Sequence, residues 1–593
     1  MSLPRLIKFP LLLLALLLAL LLLAAIAVTT LVDPNQFKPL LADQVKQATS
    51  LELQVDGDLG WQFFPKLGIS IGQTELHTGK SYDGDTLFAK LGAFNVGVGW
   101  RGLIRGQLQA DRLTIDGLQL RLVTDKRNHS NWKDVEAAAP AKAKEAPAAK
   151  QPSRSEPSLS FELAQLTLHN IDVSLVDLLL GSRQNFIIDS LTAEQLNLEG
   201  RPFPLRTSMQ LASNDAGQSR KLDLRLSSAV TVDSAAEIYA LKDIDGQLDK
   251  SRFSGELNIR FGKHTAFVGE LAIDKLNIDD YLDDTATSAD SSAATGDEPL
   301  PFDVLKTLHT QLEISIGQLI AEGAVLDQVR MAADIKSGIL NIRQLRANVF
   351  AGEVDLALQL NSNSKPATLT LQQSLENVAI EEVLANRDIA VNLSGKTTIK
   401  SDLAMRGNSI NAWLGSVGGS TRFAFDEGRY GDDNIEYRVC QAIALARKTG
   451  LNDSWTMGTN FKSVNANIEW QSGIGRVTQF TAGLENLGLS GDGSLSLLDK
   501  KFDIRVVANL TGDLSGKDPA CAINEKYRDI RWPLRCRGTA DSSSCGVDNS
   551  RLDKILTRAV KDRAKQEVRE KVTEKLEEKL GKGVSDALKG LFR

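Results

Sequence analysis

From Leu51 onward the chain alternates apolar and polar residues with a period of two, and it does so through most of its 593 residues. Side chains on a strand point to opposite faces in turn, so this pattern specifies strands with one apolar and one polar face. Leu51-Glu52-Leu53-Gln54-Val55 opens it and Leu67, Ile69 and Ile71 continue it. Similar alternation returns at Leu271–Ile278, Val354–Leu360, Leu487–Leu497 and Phe502–Val506.

Within the array a ten-residue unit recurs. Leu113-Thr-Ile115-Asp-Gly-Leu118-Gln-Leu120-Arg-Leu122 aligns with Leu166-Thr-Leu168-His-Asn-Ile171-Asp-Val173-Ser-Leu175. A weaker third copy runs Leu340-Asn-Ile342-Arg-Gln-Leu345-Arg-Ala347-Asn-Val349. Each copy slips by one residue after its second apolar position, and only a bulge or tight turn keeps one face apolar across such a slip. The spacing between copies is irregular, which excludes a propeller of fixed blades.

The N-terminus follows another rule. No charge occurs between Phe9 and Val32, and Leu11–Leu23 is leucine except for Ala15 and Ala19. Those 24 residues are long enough for a helix to cross a bilayer core of about 30 Å. Ala25-Ile26-Ala27 offers a cleavage site, but a signal core runs only about 7–15 residues. Arg5 and Lys8 before the stretch and Asp33 after it place residues 1–8 in the cytoplasm, 9–32 in the membrane and the rest across it.

Outside the membrane, Asp33 and Pro34 start a short helix with Phe37, Leu40, Leu41, Val45 and Ala48 at helical spacing. It belongs to a first β region, 33–136. Residues 137–157, rich in Ala, Lys and Pro, and 284–301, rich in Ser, Ala, Thr and Asp, read as disordered loops. They set off further β regions at 158–283 and 302–550. A helix is predicted near Asn434–Thr449, with Ile435, Val439, Ala442, Ile443 and Ala446 on one side. The tail, 551–593, is a charged amphipathic helix with thirteen basic and eight acidic residues and an apolar stripe from Leu552 to Leu580.

Composition bounds the chemistry. With 69 basic and 75 acidic residues, the chain has no footprint of a nucleic-acid binder. Cys440, Cys521, Cys536 and Cys545 include no Cys-x-x-Cys pair, so across the membrane they read as disulfides, with three connectivities open. His77, His129, His169, His264 and His309 are scattered singly, without metal spacing. Gly97-Val-Gly99-Trp-Arg-Gly102 and Gly68-Ile-Ser70-Ile-Gly72 copy cofactor and nucleophile motifs in strand surroundings. Gly79-Lys80-Ser81 and Gly395-Lys396-Thr397 read as turns. The expectation is a protein without catalytic residues, cofactor or metal.

An array with one apolar face has to bury it, against a second sheet, in a barrel, or as a trough that holds a ligand. Aromatic residues are 6% of the chain, and a smooth aliphatic lining suits acyl chains, although an ordinary sandwich core uses the same residues. The candidate lining is Leu113, Ile115, Leu118 and Leu120, then Leu166, Leu168, Ile171 and Val173, then Leu340, Ile342 and Leu345. Trp61, Phe63 and Phe64, near the anchor, are the candidate point of lipid uptake; packing onto the Asp33–Ala48 helix is their competing role. Roughly 25–30 strands stacked about 4.8 Å apart would reach at most about 120–145 Å.

The opening, Val32-Asp33-Pro34-Asn35-x-Phe37, then Gly57-x-Leu59-x-Trp61 and Phe64-Pro65-x-Leu67-x-Ile69, resembles the AsmA family of inner-membrane proteins. Leu375-Glu376-Asn377-Val378 and the run from Leu489-x-Gly491-x-Gly493 to Phe502-Asp503-Ile504-Arg505 carry the same resemblance. It implies a Gram-negative envelope protein with its body in the periplasm, related to bridge-like lipid transfer proteins. The implied fold is mainly β: an elongated, twisted antiparallel groove behind one anchor, with a few helices. The implied partners are membrane phospholipids, the inner membrane through the anchor, and outer-membrane or periplasmic assembly proteins; in the alternative reading the chain is a scaffold or assembly factor that holds outer-membrane protein precursors along strand edges. The Cys521–Cys545 insertion and the two low-complexity loops depart from the family pattern, with little bearing on this family reading.

Overall fold

The computed structural model describes residues 33–62, 67–98, 110–138, 162–215, 218–262, 264–281, 296–431, 433–452, 455–523, 531–539 and 542–548, with scattered positions from 550 to 571. The expected membrane segment 9–32, Phe63 and Phe64, and most of 137–157, 284–301 and the tail lie outside the described residues. Among the described residues no helix is long and apolar enough to cross a membrane. The fold is mainly β with few helices, and the chain divides into two compact units, Met1–Leu276 and Asn277–Arg593.

The first unit opens with a 3-10 turn, Pro34–Phe37, leading into α1 (Lys38–Thr49). Asp33 caps the turn by accepting from the Asn35 amide at 2.9 Å. No residue of α1 is buried, and Phe37 and Leu40 stay 47% and 56% exposed. The strands then come as bent pairs. β1 (Glu52–Val55) and β2 (Leu59–Gln62) are two arms of one strand, as are β3 (Leu67–Ile71) and β4 (Thr74–Tyr82). The same holds for β5 (Asp85–Leu91) with β6 (Ala93–Val98), and for β7 (Ala110–Asp116) with β8 (Gln119–Thr124). Arm pairs with arm, antiparallel throughout: β1 with β4, β2 with β3, β3 with β6, β4 with β5, β6 with β7 and β5 with β8. The bends lie side by side, and two of them require glycine. A Cβ on Gly57 would come within 2.3 Å of the Gln73 nitrogen, and Gly117 has a φ of +69°.

β9 (Glu162–Asp177) takes both arms of its neighbour, pairing in parallel with β7 over Gln165–His169 and with β8 over Asp172–Asp177. Parallel strands need a crossover. The chain between β8 and β9 includes α2 (Asn131–Ala138). The expected sheet is wholly antiparallel, and this join makes it mixed; alternation has the same period in both ladders and does not distinguish them. From β9 an antiparallel meander continues through β10 (Ser182–Asn197), β11 (Phe203–Asp215), β12 (Gln218–Asp233), β13 (Ile238–Leu248), β14 (Ser251–Arg260) and β15 (Thr265–Asn277).

The second unit is another antiparallel meander. It runs β16 (Leu308–Ala321), β17 (Ala324–Lys336), β18 (Ile339–Val349), β19 (Gly352–Asn361) and β20 (Thr368–Ala379). After α3 (Ile380–Asn386) come β21 (Leu393–Arg406), α4 (Ile410–Ser416), β22 (Gly418–Tyr430) and α5 (Ile435–Arg447). The last strands are β23 (Thr459–Gln471), β24 (Ile474–Gly483), β25 (Leu487–Ser496), β26 (Lys501–Leu510), β27 (Trp532–Thr539) and β28 (Ser543–Val547). The helix predicted near Asn434–Thr449 is α5.

The slips inside the ten-residue units are bulges. In the first two copies the extra residue, Gly117 or Asn170, takes a positive φ, +69° and +53°. In the third the register against β19 shifts between Ile342 and Leu345. Two fragments expected to be turns are not: Gly79–Ser81 lies inside β4 and Gly395–Thr397 inside β21. Ser70 sits within β3 as expected, its hydroxyl donating to the Gly60 carbonyl at 3.3 Å.

Candidate functional site

Residues directly opposite each other on neighbouring strands share a face of the sheet. Leu113 stands opposite Leu166, Ile115 opposite Leu168 and Leu120 opposite Val173. Leu118 lies in the bend, its carbonyl accepting from the Asp172 amide at 2.7 Å. On the other side of β9, Leu168 meets Leu191, Ile171 meets Ile188 and Val173 meets Phe186. The rows then run Phe186–Leu211–Leu222 and Ile188–Met209–Leu224, and farther on Val230–Leu241–Leu257 and Ile244–Gly255–Leu271. The reverse face of β11 and β12 pairs Arg206 with Ser227, Ser208 with Arg225 and Gln210 with Asp223.

This apolar face is not enclosed. Among the described residues the first unit holds one small buried cluster, Tyr82, Val123 and Val176. Ile171 is buried, but Leu113, Ile115, Leu120, Leu166, Leu168 and Val173 are only half-buried and Phe186 is 42% exposed. Leucines between two packed layers would be hidden from solvent.

The second unit repeats the arrangement. Its rows are Leu340–Leu360–Leu369–Met405 and Ile342–Leu358–Leu371–Leu403, and Leu345 stands opposite Leu356. Leu340, Ile342 and Leu345 are again half-buried. On the reverse face Arg346, Asp355, Ser374, Lys400 and Arg422 follow one another across β18–β22. A cavity of about 870 Å³ lies among those groups, crossed by the pairs Arg346–Asp355 at 2.6 Å and Lys400–Glu376 at 2.7 Å. Its cations and carboxylates balance, so it is a salt-bridged surface, not an anion pocket. One polar row crosses the apolar face. Gln373 Nε2 donates to Ser401 Oγ at 3.3 Å, Ser401 and Thr421 hydroxyls lie 3.0 Å apart, and Trp470 Nε1 donates to Thr421 at 2.9 Å.

Over the last strands the apolar face is covered. Phe425, Val464, Ala482, Leu489, Ala508 and Trp532 stand in line across β22–β27. Val439, Cys440 and Ile443 of α5, at most 2% exposed, pack onto them together with Leu514 and Cys521. Beside this cap Trp470 lies across Gly475, where a Cβ would meet its ring at 2.8 Å.

The cap is tied to itself. A disulfide joins Cys440 to Cys521. Lys517 Nζ reaches Glu436 at 2.7 Å and Glu485 at 2.8 Å. Buried Asp518 accepts from the Asn452 amide at 2.8 Å and from Trp455 Nε1 at 3.3 Å. Arg447 donates to the carbonyls of Pro519, Ala520 and Ala522. The Asn452 amide, followed by that of Ala520, holds the Asp518 carboxyl below its usual range, and the hydrogen bond from Lys517 does the same for Glu485. Burial pulls Lys517 down, but its hydrogen bonds to Glu436 and Glu485 and the charges of those two carboxylates together outweigh this and raise it. The sulfurs of Cys440 and Cys521 lie beside Asp518 in a metal-like triangle, but they are bonded to each other and are not thiolate ligands. Cys536 is also disulfide-bonded, and Cys545 is the residue opposite it on β28. Cys521, where the stretch that departs from the family pattern begins, thus helps cover the face itself. The cysteines were visible in the sequence; what they hold was not.

Of the aromatic trio Trp61, Phe63 and Phe64, Trp61 is described: it lies half-buried on β2, opposite Ile69, which is 42% exposed.

Residues 5–203 and 244–480 match the model of the AsmA family. The chain belongs to the AsmA family. Protein AsmA of Escherichia coli (strain K12) is 21% identical over 633 residues, covering 95% of this chain and 96% of that protein. No solved structure matches. The family match takes in all three ten-residue units and α5, and stops within β24. Half of the cap, including Cys521, therefore lies beyond it.

Proposed function

We propose that this protein is an inner-membrane-anchored, periplasmic component of outer-membrane biogenesis that carries phospholipid along the apolar faces of its sheets. The observation behind this reading is the pair of long aliphatic faces, each backed by a polar face and largely uncovered. Apolar patches larger than a few hundred Å² mark sites for partners or lipid. Burying an acyl chain yields about 0.8 kcal/mol per methylene. A uniform aliphatic lining spreads that gain evenly, so a lipid moves along it without a tight site, a cofactor or a catalytic residue. Residues 9–32 anchor the chain, and lipid enters near Trp61, Phe63 and Phe64; Phe37 and Leu40, which follow the anchor in the chain, are exposed apolar residues suited to the membrane surface.

Native mass spectrometry with lipid extraction on the fragment 34–593, purified without harsh detergent, tests this. Several phospholipids per chain are expected. A folded, lipid-free fragment would instead favour a scaffold that holds outer-membrane protein precursors along its strand edges.

A further inference from the structure

We infer that α5 and residues 513–523 form a stopper that ends the lipid-accessible face of the second unit at β22, held shut by the Cys440–Cys521 bond and the Lys517 ion pairs. This rests on the lipid-carrying reading above and adds where the path stops. Val439 and Ile443 occupy the inward side of β22–β27, the position an acyl chain would take, at 0% and 2% exposure. The lane beside them is crossed by Trp470, which its bond to Thr421 fixes over Gly475. The row Ile342–Leu358–Leu371–Leu403 has no such cover: Leu358, Leu371 and Leu403 are half-buried and join neither buried cluster, and in the row beside it Leu360 and Met405 are buried at 7% and 8% without joining either cluster. Acyl chains therefore lie on β16–β21 and leave the face sideways, not past β27. Removing the links frees α5 to lift and lengthens the face.

Photocrosslinking tests this in the full chain in its native membrane, with p-benzoylphenylalanine placed at Leu371 or at Phe480 and phospholipid adducts read by mass spectrometry. Adducts at Leu371 and only background at Phe480 are expected. In a Cys440→Ser, Cys521→Ser, Lys517→Ala variant, the Phe480 signal should rise toward that at Leu371. Equal adducts at both positions in the otherwise unchanged chain overturn the stopper. A Phe480 signal still at background in the folded variant overturns the role given to the links. No adduct at Leu371 in either form counts against lipid carriage itself, apart from the stopper.

Discussion

Cys440 and Cys521 lie 81 residues apart, and their bond holds one turn of α5 to the 3-10 turn Pro519–Cys521 above a sheet whose strands β23–β26 fall between them in the chain. The loop it closes includes four of the strands the cap covers, β23–β26, so the bond acts on a large part of the second unit.

Replacing Cys440 by Ser should lower the thermal stability of that unit. A crosslink closing about 80 residues is worth about 4–5 kcal/mol in the chain-entropy account. Calorimetry with and without reductant checks it. Reductant should lower the transition of the unchanged protein toward that of the variant, and identical transitions under oxidising conditions would remove the bond from the stability of the cap.

Acid should loosen the cap before base does. Glu485 and Asp518 titrate lower in the folded protein than their ordinary values of 4.5 and 3.8, so their contribution is full above those values and is lost as pH falls through the lowered ones. Lys517 is raised above 10.5, so its contribution is full below 10.5 and is lost as pH climbs through the raised value. Amide protection in 436–443, corrected for intrinsic exchange, should be flat from about pH 6 to 9 and fall below about pH 4. Unchanged protection at pH 3 would contradict this.

Leu371 and Gln372 are neighbours on β20 with opposite faces. Leu371→Asp should abolish phospholipid occupancy near that position while costing only about 1–2 kcal/mol, since the leucine is half-buried. Gln372→Asp adds the same charge to the polar face and should change neither quantity. Lipid counts by native mass spectrometry, with urea midpoints for folding, separate the two; equal loss in both variants would defeat the assignment of faces.

The bulges should respond to backbone conformation alone. Gly117→Val forces a branched residue into φ +69° and should cost about 2 kcal/mol or more. Asn170→Gly keeps the conformation at φ +53° and loses only the bond to Asp116, at about 1 kcal/mol or less. Urea titration of each variant gives the comparison, and a larger loss for Asn170→Gly would reverse the argument.

Much of the array was legible because alternation is a local property. The residues that align between Leu113–Leu122 and Leu166–Leu175 also stand in register in the sheet: Leu113 meets Leu166 and Leu120 meets Val173. Two identical patterns with the same slip match best side by side and in the same direction, yet period two alone does not announce a parallel join. The cap was legible only as parts. The apolar side of α5 could be read at Val439 and Ile443, but what it would cover depends on strands far along the chain. Lys517 finds Glu436 from 81 residues away, and no periodicity encodes that partnership.

In the run from β9 to β15 each strand is hydrogen-bonded to the one before and the one after it. Removing or adding one hairpin leaves the next strand running in the same direction with the same face inward. The family match skips 204–243, which holds β11 but for its first residue, β12 and the start of β13. Length, in such a sheet, is a quantity that evolution can adjust two strands at a time without redrawing the fold.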